Sequence, residues 1–381
     1  MTAAGGRPRP GIVGAGQLAR MTYQAGISLG LTVRLLAGEA GESAARIGAE
    51  VVIGSPTSAE DLAGFAAGCD VLTFDHELVD AEQLAVLERA GHILRPRAAT
   101  VALVQDKRRQ RAELEALGFP VPPHRPAVSL AEVVGFGAAH GWPVVAKAAR
   151  GGYDGRGVWV LRDAGAARAL LQQTAGQGLA FSIEAWVPLE RELAVLVARR
   201  PGGEAVVYPV VETVQRDGIC HELLAPAPLA PEVSARAARL GLEIAEAVGV
   251  IGILAVELFL VGDRLLVNEL AVRPHNSGHF SIEGCVTSQF ENHLRAILDW
   301  PLGETSLTAP AVATVNVLGR STDELHGRLP RALAVPGACV HLYDKPARPG
   351  RKLGHVTVTG TDPAEVRRRA LRAAALLTGE A

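Results

Sequence analysis

The chain has 381 residues, a net charge of −2 and 48% hydrophobic residues, a length for two or three domains with apolar content ample for sizeable cores. It holds no long basic or acidic block, so neither a nucleic acid nor a membrane surface is the expected partner, and Arg367–Arg368–Arg369 reads as a solvated helix face. Met1–Pro10 has no apolar h-region, no later stretch is long and apolar enough to span a bilayer, and Cys69, Cys220, Cys285 and Cys339 are too scattered for a disulfide frame or zinc site, which points to the cytoplasm.

Pro10–Gly11–Ile12–Val13, followed by Gly14–Ala15–Gly16–Gln17–Leu18–Ala19–Arg20, reads as a buried strand, a glycine turn and the start of a helix. Thr32–Ala37, Val51–Ile53 and Val71–Phe74 are further short strands alternating with helical or polar segments, the pattern of a parallel sheet in an α/β domain. Gly14–x–Gly16 lacks the third glycine of a dinucleotide fingerprint, but it leaves backbone N–H groups at a helix N-terminus, where an anion is welcome. Arg95–Pro96–Arg97 marks the end of this domain, and Val101 to Leu117 reads as one helix carrying Lys107 and Arg111, ended by Gly118–Phe119–Pro120.

A second module opens with the strand Pro143–Val144–Val145–Ala146–Lys147, continues through Arg150–Gly151–Gly152–Tyr153–Asp154–Gly155–Arg156–Gly157, and returns along the strand Val158–Leu161. A glycine-rich loop between strands can fold over phosphates with its backbone N–H groups while Lys147 supplies charge. It is not a P-loop, because no Gly–Lys–Ser/Thr opens a helix. Phe181–Val187 is another apolar strand carrying a carboxylate, Glu184, beside Trp186, and Glu190–Val195 follows it. A buried glutamate at such a strand end can hold a ribose hydroxyl or an adenine edge. Only four of the 38 basic residues are lysine, namely Lys107, Lys147, Lys345 and Lys352; as compact point charges they are candidates for anion sites.

The most informative stretch is Val256–Glu257–Leu258–Phe259, the turn Gly262–Asp263, and Val267–Asn268–Glu269–Leu270. Each glutamate lies six residues from Asp263, so a hairpin sets Glu257 and Glu269 face to face. Like charges so opposed are kept together mainly by a cation or a proton between them, and oxygen-only ligands favour magnesium together with substrate phosphates. Arg273–Pro274–His275–Asn276–Ser277–Gly278–His279 then supplies donors beside the metal, as transfer of a phosphate or carboxylate requires. The tail has strands at Val312–Val317, Cys339–Tyr343 and His355–Val358, with Lys345 and Pro349–Gly350–Arg351–Lys352 on the loop between the last two, a basic cluster suited to a substrate phosphate.

A lysine with a glycine-rich loop, a carboxylate strand and a Glu…Asn–Glu hairpin, in that order after an α/β domain, resembles the ATP-grasp ligases. Within them the chain is similar to the 5-(carboxyamino)imidazole ribonucleotide synthase family, on Gly16–Gln17–Leu18 with Arg20–Met21, Gly151–Gly157, Asn268–Glu269–Leu270 with Arg273–His279, and Arg348–Lys352 with Gly354–His355. The resemblance implies an α/β fold with a Rossmann-like pre-ATP-grasp domain over residues 1–100, an ATP-grasp domain over 101–300 with its glycine-rich lid subdomain at about 120–185, and a small β-rich C-terminal domain over 301–381. It implies ATP-dependent carboxylation of 5-aminoimidazole ribonucleotide with bicarbonate, through carboxyphosphate, in purine biosynthesis, by a homodimer that takes small-molecule substrates and uses Mg2+.

Carried over by position, the resemblance places Lys107, Lys147, Gly152, Tyr153, Asp154, Gly155, Arg156, Gly157, Glu184, Ala185, Trp186, Val187, Glu192, Gln215, Asn268 and Glu269 around ATP, with Glu257 and Glu269 on magnesium. It places Tyr153, Asp154, Arg156, Arg273, His275, Asn276 and Ser277 at the bicarbonate and imidazole, Lys345, Arg351 and Lys352 at the ribonucleotide phosphate, and Gln17 and Leu18 among the substrate-binding residues. Asp154, Arg273 and His275 are the catalytic candidates. The chain departs from the family's pattern at Ala19, Lys107, Thr213, Gln215 and Val272; Lys107 keeps its charge, whereas Gln215 can donate a hydrogen bond but carries none. An ATP-grasp ligase with a different acceptor is the alternative enzyme, and a nucleotide-binding sensor without catalysis is the alternative class.

Overall fold

The computed structural model describes residues 7–47, 50–152, 155–320 and 324–380. Strands β1 (Pro10–Val13), β2 (Arg34–Ala37), β3 (Glu50–Ile53) and β4 (Val71–Phe74) form a parallel sheet in the order β3-β2-β1-β4. β1 and β4 are buried at all four of their residues, as short apolar runs covered on both faces must be. Phe65, Leu72, Phe74 and Leu84 pack on one face. Ile12, Val33 and Leu35 pack on the other against Leu294 and Ile297, which belong to the helix Gln289–Ile297 far along the chain.

The turn after β1 carries Gly16 as the N-cap of the helix Gln17–Ser28. Its N–H donates to Asp75 Oδ2 at 2.6 Å. Gly14 has φ +107°, and a Cβ there would lie 1.9 Å from Asp75 Oδ1. The chain therefore seats its own carboxylate against this helix start, where the sequence led us to expect a bound anion. The helix expected over Val101–Leu117 is two helices, Ala98–Gln105 and Lys107–Ala116. Asp106 divides them, accepting the Arg108 and Arg109 N–H groups at 3.0 and 3.4 Å, because its short carboxylate satisfies donors at a helix start better than it continues a helix.

β5 (His124–Ala127), β6 (Val144–Ala148), β7 (Val158–Leu161) and β8 (Phe181–Ala185) form an antiparallel sheet in the order β5-β8-β6-β7, with Phe136, Val144, Phe181 and Ile183 in its core. The largest sheet starts from β9 (Arg191–Arg199), β10 (Ala205–Val207), β11 (Val211–Arg216), β12 (Ile219–Ala225), β13 (Gly252–Val261) and β14 (Arg264–Ala271), and continues through β15 (Ala311–Leu318), β16 (Cys339–Leu342) and β17 (Lys352–Gly360). Its order is β14-β13-β9-β11-β12-β15-β17-β16, with β10 alongside β9. The tail strands thus extend the central sheet through β12 and β15, which pair from Glu222↔Val315 to Ala225↔Val312.

Lys352 opens β17 rather than lying on the preceding loop. Arg367 departs from the expected solvated face: its guanidinium donates to Glu222 at 2.7 and 3.2 Å, and Glu222 is only 1% exposed. All four cysteines are free thiols. Among the described residues no helix is long and apolar enough to cross a membrane.

Candidate active site

The hairpin β13–β14 sets Glu257 directly opposite Glu269. A two-residue turn at Gly262–Asp263 pairs Val261 with Arg264, and an unbroken ladder from there would bring Asn268 opposite Glu257 and turn Glu269 to the other face. A bulge after Leu258↔Val267 shifts the register by one residue. Glu257, Asn268 and Glu269 then share one face, which a regular strand does not allow for two consecutive residues. Asn268 Nδ2 donates to Glu257 Oε2 at 3.2 Å, and Lys107 Nζ lies 2.5 Å from Glu269 Oε1.

Burial, then the neighbouring Glu269 and Glu192, push the Glu257 carboxyl up to about 7, although 29% of its side chain is exposed to the cleft. Glu269 shifts the other way, its burial outweighed by the Lys107 ammonium. Glu192, on β9 opposite Phe259, is also raised to about 7 by burial. One carboxyl of the facing pair is thus short of positive charge, an oxygen donor set that suits a divalent cation. Among the described residues no cluster of three acidic, His or Cys side chains completes an all-protein metal site. Magnesium characteristically takes one or two carboxylates and fills its remaining positions with phosphate oxygens and water.

Lys147 joins this pair to a second cluster. Its Nζ is 2.8 Å from Glu184 Oε2, 2.9 Å from Asn268 Oδ1 and 5.9 Å from the centre of the Phe259 ring. Arg111 grips both Glu184 oxygens at 2.8 and 3.1 Å and donates to the Val267 carbonyl at 2.9 Å and to that of Asn268, holding the bulge in place. Burial alone would raise the Glu184 carboxyl, but the Lys147 and Arg111 charges outweigh it and hold it at about 2. Both carboxylate oxygens of Glu184 are engaged by these cations, so its side chain orients Lys147 and does not present itself to a ribose or an adenine edge. Trp186, two residues on, is 49% exposed.

The segment after β14 lies beside the pair. His275 Nε2 is 3.7 Å from Glu257 Oε1. Its Nδ1 accepts the Ser277 N–H at 3.3 Å and lies 2.8 Å from Ser277 Oγ, which assigns the proton to Nε2. Burial, then the charges of Arg273 and Lys352, push its pKa well down, so the ring is a neutral donor facing the carboxylates. Arg273 is held by Glu77 at 2.9 Å. Neither polar atom of the Asn276 side chain has a hydrogen-bond partner among the described residues, although both are buried.

Lys345 bonds Gln17 across the N-terminal and C-terminal parts, and Lys352 lies close enough to act electrostatically on both His275 and Glu257. Arg351 donates to the Pro346 carbonyl at 3.2 Å on the same loop. In the glycine loop a Cβ on Gly152 would lie 2.9 Å from the Arg156 carbonyl and 3.7 Å from Lys107 Cε, which places this turn over the lysine. Gln215 stands at a bulge in the β11–β12 pair. Tyr153 and Asp154 lie outside the described residues.

Arg111 and Glu77 were not among the expected site residues. Arg111 sits four residues after Lys107, on the same helix face, and that spacing was its available signal. Glu77 follows the carboxyl end of β4, where open α/β sheets bind ligands, but no local motif sets it apart.

Three family models match in chain order: a ribonucleotide synthetase preATP-grasp domain over residues 9–105, an ATP-grasp domain over 112–290 and a phosphoribosylaminoimidazole carboxylase C-terminal domain over 312–369. The N5-carboxyaminoimidazole ribonucleotide synthase of Mycobacterium leprae is 48% identical over 96% of this chain and 88% of its own. That of Corynebacterium ammoniagenes is 45% identical over 99% and 93%. The crystal structure of the Aspergillus clavatus enzyme in complex with ADP and 5-aminoimidazole ribonucleotide superposes with a TM-score of 0.90 at 32% identity, covering 97% of this chain and 98% of that one. The chain belongs to the N5-carboxyaminoimidazole ribonucleotide synthase family of ATP-grasp ligases.

Proposed function

We propose that the hairpin carboxylates, Lys107 and Lys147 hold the ATP phosphates, that Arg273, His275, Asn276 and Ser277 hold bicarbonate and the imidazole, and that Lys345, Arg351 and Lys352 hold the ribonucleotide phosphate. The activity is the ATP-dependent carboxylation of 5-aminoimidazole ribonucleotide to its N5-carboxyamino product, in purine biosynthesis. The observation that carries the residue assignment is Glu257 facing Glu269, with Lys147 linked to Glu257 through Asn268 and Lys107 bound to Glu269. Glu257 and Glu269 would hold magnesium, which when bound supplies charge neutralisation at the transferred phosphate.

Lys147 is aimed into the site by Glu184 and meets the phosphate as a fixed charge. A bicarbonate oxygen attacks the γ-phosphorus and ADP departs, giving carboxyphosphate; Arg273 and the His275 Nε2–H stabilise charge spread over the transferring groups. Carboxyphosphate is short-lived in water, so the glycine loop has to exclude solvent. It breaks to carbon dioxide and phosphate, the exocyclic amine attacks the carbon, and its proton passes to the departing phosphate or to Asp154. A cytoplasmic homodimer completes this reading, and sedimentation of the purified protein tests the oligomer.

The test is phosphate release from ATP with magnesium and bicarbonate, with and without 5-aminoimidazole ribonucleotide, and with Glu269→Gln as the blank. Release that depends on the ribonucleotide and disappears in the variant supports the assignment. Release independent of the ribonucleotide would move the acceptor assignment to a different ligase substrate.

A further inference from the structure

The β11–β12 hairpin ends in a two-residue turn, Asp217–Gly218, between the directly paired Arg216 and Ile219. Both turn residues have positive φ, 52° and 75°, the form whose twist matches a hairpin. The turn itself is exposed, yet its root is stiff. Glu222, one register step beyond the bulge, is gripped by Arg216 at 2.9 Å and by Arg367 at 2.7 and 3.2 Å. Asn316 Nδ2, on the neighbouring β15, donates to the Cys220 carbonyl at 3.0 Å.

This turn meets the glycine loop backbone to backbone. A Cβ on Gly155 would lie 3.1 Å from the Asp217 carbonyl oxygen and from Gly218 Cα, and one on Gly218 would lie 2.8 Å from Gly155 Cα. No side chain fits between them, so the approach needs glycine on both sides. On its other flank the hairpin meets the basic loop: a Cβ on Gly350 would lie 3.2 Å from Ile219 Cδ1. Gly350 is in turn pinned by its N–H to the Gly319 carbonyl at 3.0 Å, and the Arg351 N–H closes a turn onto the Arg348 carbonyl at 3.0 Å. One rigid hairpin therefore touches both the glycine loop and the loop that carries Arg351 and leads into Lys352 at the start of β17.

We propose that the Asp217–Gly218–Ile219 tip is a positioning strut, which seats the glycine loop only in register with the ribonucleotide-phosphate loop and so ties formation of carboxyphosphate to an occupied acceptor site. The inference rests on the phosphate assignment of Arg351 and Lys352 made above. None of the three tip residues is among those assigned above to ATP, bicarbonate or the ribonucleotide. Their effect is on coupling, meaning how many phosphates leave ATP for each ribonucleotide carboxylated.

The experiment measures that ratio, together with KM for each substrate, in the full-length wild type, Gly218→Asn and Ile219→Ala. Asparagine tolerates positive φ, so Gly218→Asn tests the lost approach to Gly155 rather than backbone strain. The expected result is a ratio near one in the wild type that rises about threefold or more in Gly218→Asn, with kcat/KM for the ribonucleotide down about tenfold. Ile219→Ala, which keeps the Gly155 approach, is expected to raise KM for the ribonucleotide about threefold and leave KM for ATP unchanged. Folded variants with the wild-type ratio and KM values would overturn the strut, as would a uniform loss of turnover at constant ratio. A wild type whose phosphate release ignores the ribonucleotide would overturn the phosphate assignment itself, and that arm is read without either variant.

Discussion

Glu184 and Glu257 are joined through Lys147 and Asn268, yet one carboxyl is held at about 2 and the other is raised to about 7. Two cations saturate the oxygens of Glu184. Glu257 meets a neutral amide, a neutral imidazole and another carboxylate. Opposite charge placed at bonding distance makes the first a permanent part of the framework, whereas the second is left under-neutralised, the state expected of a carboxylate that would take up a cationic ligand. Such a split between neighbouring titratable groups marks where a site ends and its support begins.

Glu257→Gln separates the two roles most sharply. It is expected to lower kcat by about a hundredfold or more, as loss of an aimed charge at a transferring phosphate does, while thermal melting of the ligand-free protein stays level or rises because a like charge is gone. A fall in both would put Glu257 in the framework with Glu184. Arg111→Met is the converse: it leaves Glu184 with Lys147 alone and frees the bulge carbonyls, and denaturant unfolding is expected to show a loss of about 3–5 kcal/mol.

pH distinguishes the two glutamates without mutation. A carboxyl whose folded pKa is raised binds more protons folded than unfolded, so Glu257 and Glu192 stabilise at low pH and this contribution is lost as pH rises from about 4.5 to about 7. Glu184 has the opposite sign: its contribution is present above about 4.5 and is lost as pH falls toward about 2. Melting curves of the ligand-free protein should therefore decline across the upper window, and magnesium with ATP should flatten that decline; a pH-independent melting temperature there would break the contrast. The smallest effect is expected from Glu77→Gln, which removes the charge opposite Arg273 and should lower kcat/KM for bicarbonate about tenfold.

The parallel N-terminal sheet was legible because its strands are short apolar runs separated by helical patterns, and Val71–Phe74 is observed as expected. The hairpin was legible from Gly262–Asp263, but the symmetry about Asp263 gave the right partner only because the ladder slips at the bulge. Asn268 was read as a ligand residue, and its role as the bulge that returns Glu269 to the site was not visible. Arg111 fixes that bulge from a helix more than 150 residues away, by bonds to Val267 and Asn268 that no local pattern announces. Glu184 was singled out for its apolar strand, but which of its possible partners it met depended on Lys147 and Arg111 arriving from two other elements. Charge and spacing located the chemistry, and long-range pairing decided which charges were left to do it.

The continuous sheet bears on how the protein can be divided. The strand opened by Lys352, which we assign to the ribonucleotide phosphate, is reached from the carboxylate hairpin entirely through hydrogen-bonded neighbours, with β12 and β15 as the seam. Cutting the chain after β14 would strip β12 of a partner along four residues and leave an open edge, a template for intermolecular pairing. A minimal nucleotide-binding core made this way would be prone to aggregate, whereas a graft that brought its own strand in the register of β15 would heal the edge. On the proposed phosphate assignment, acceptor specificity would be attached as an added strand, exchangeable in principle with another, and not as a bead on a flexible tether.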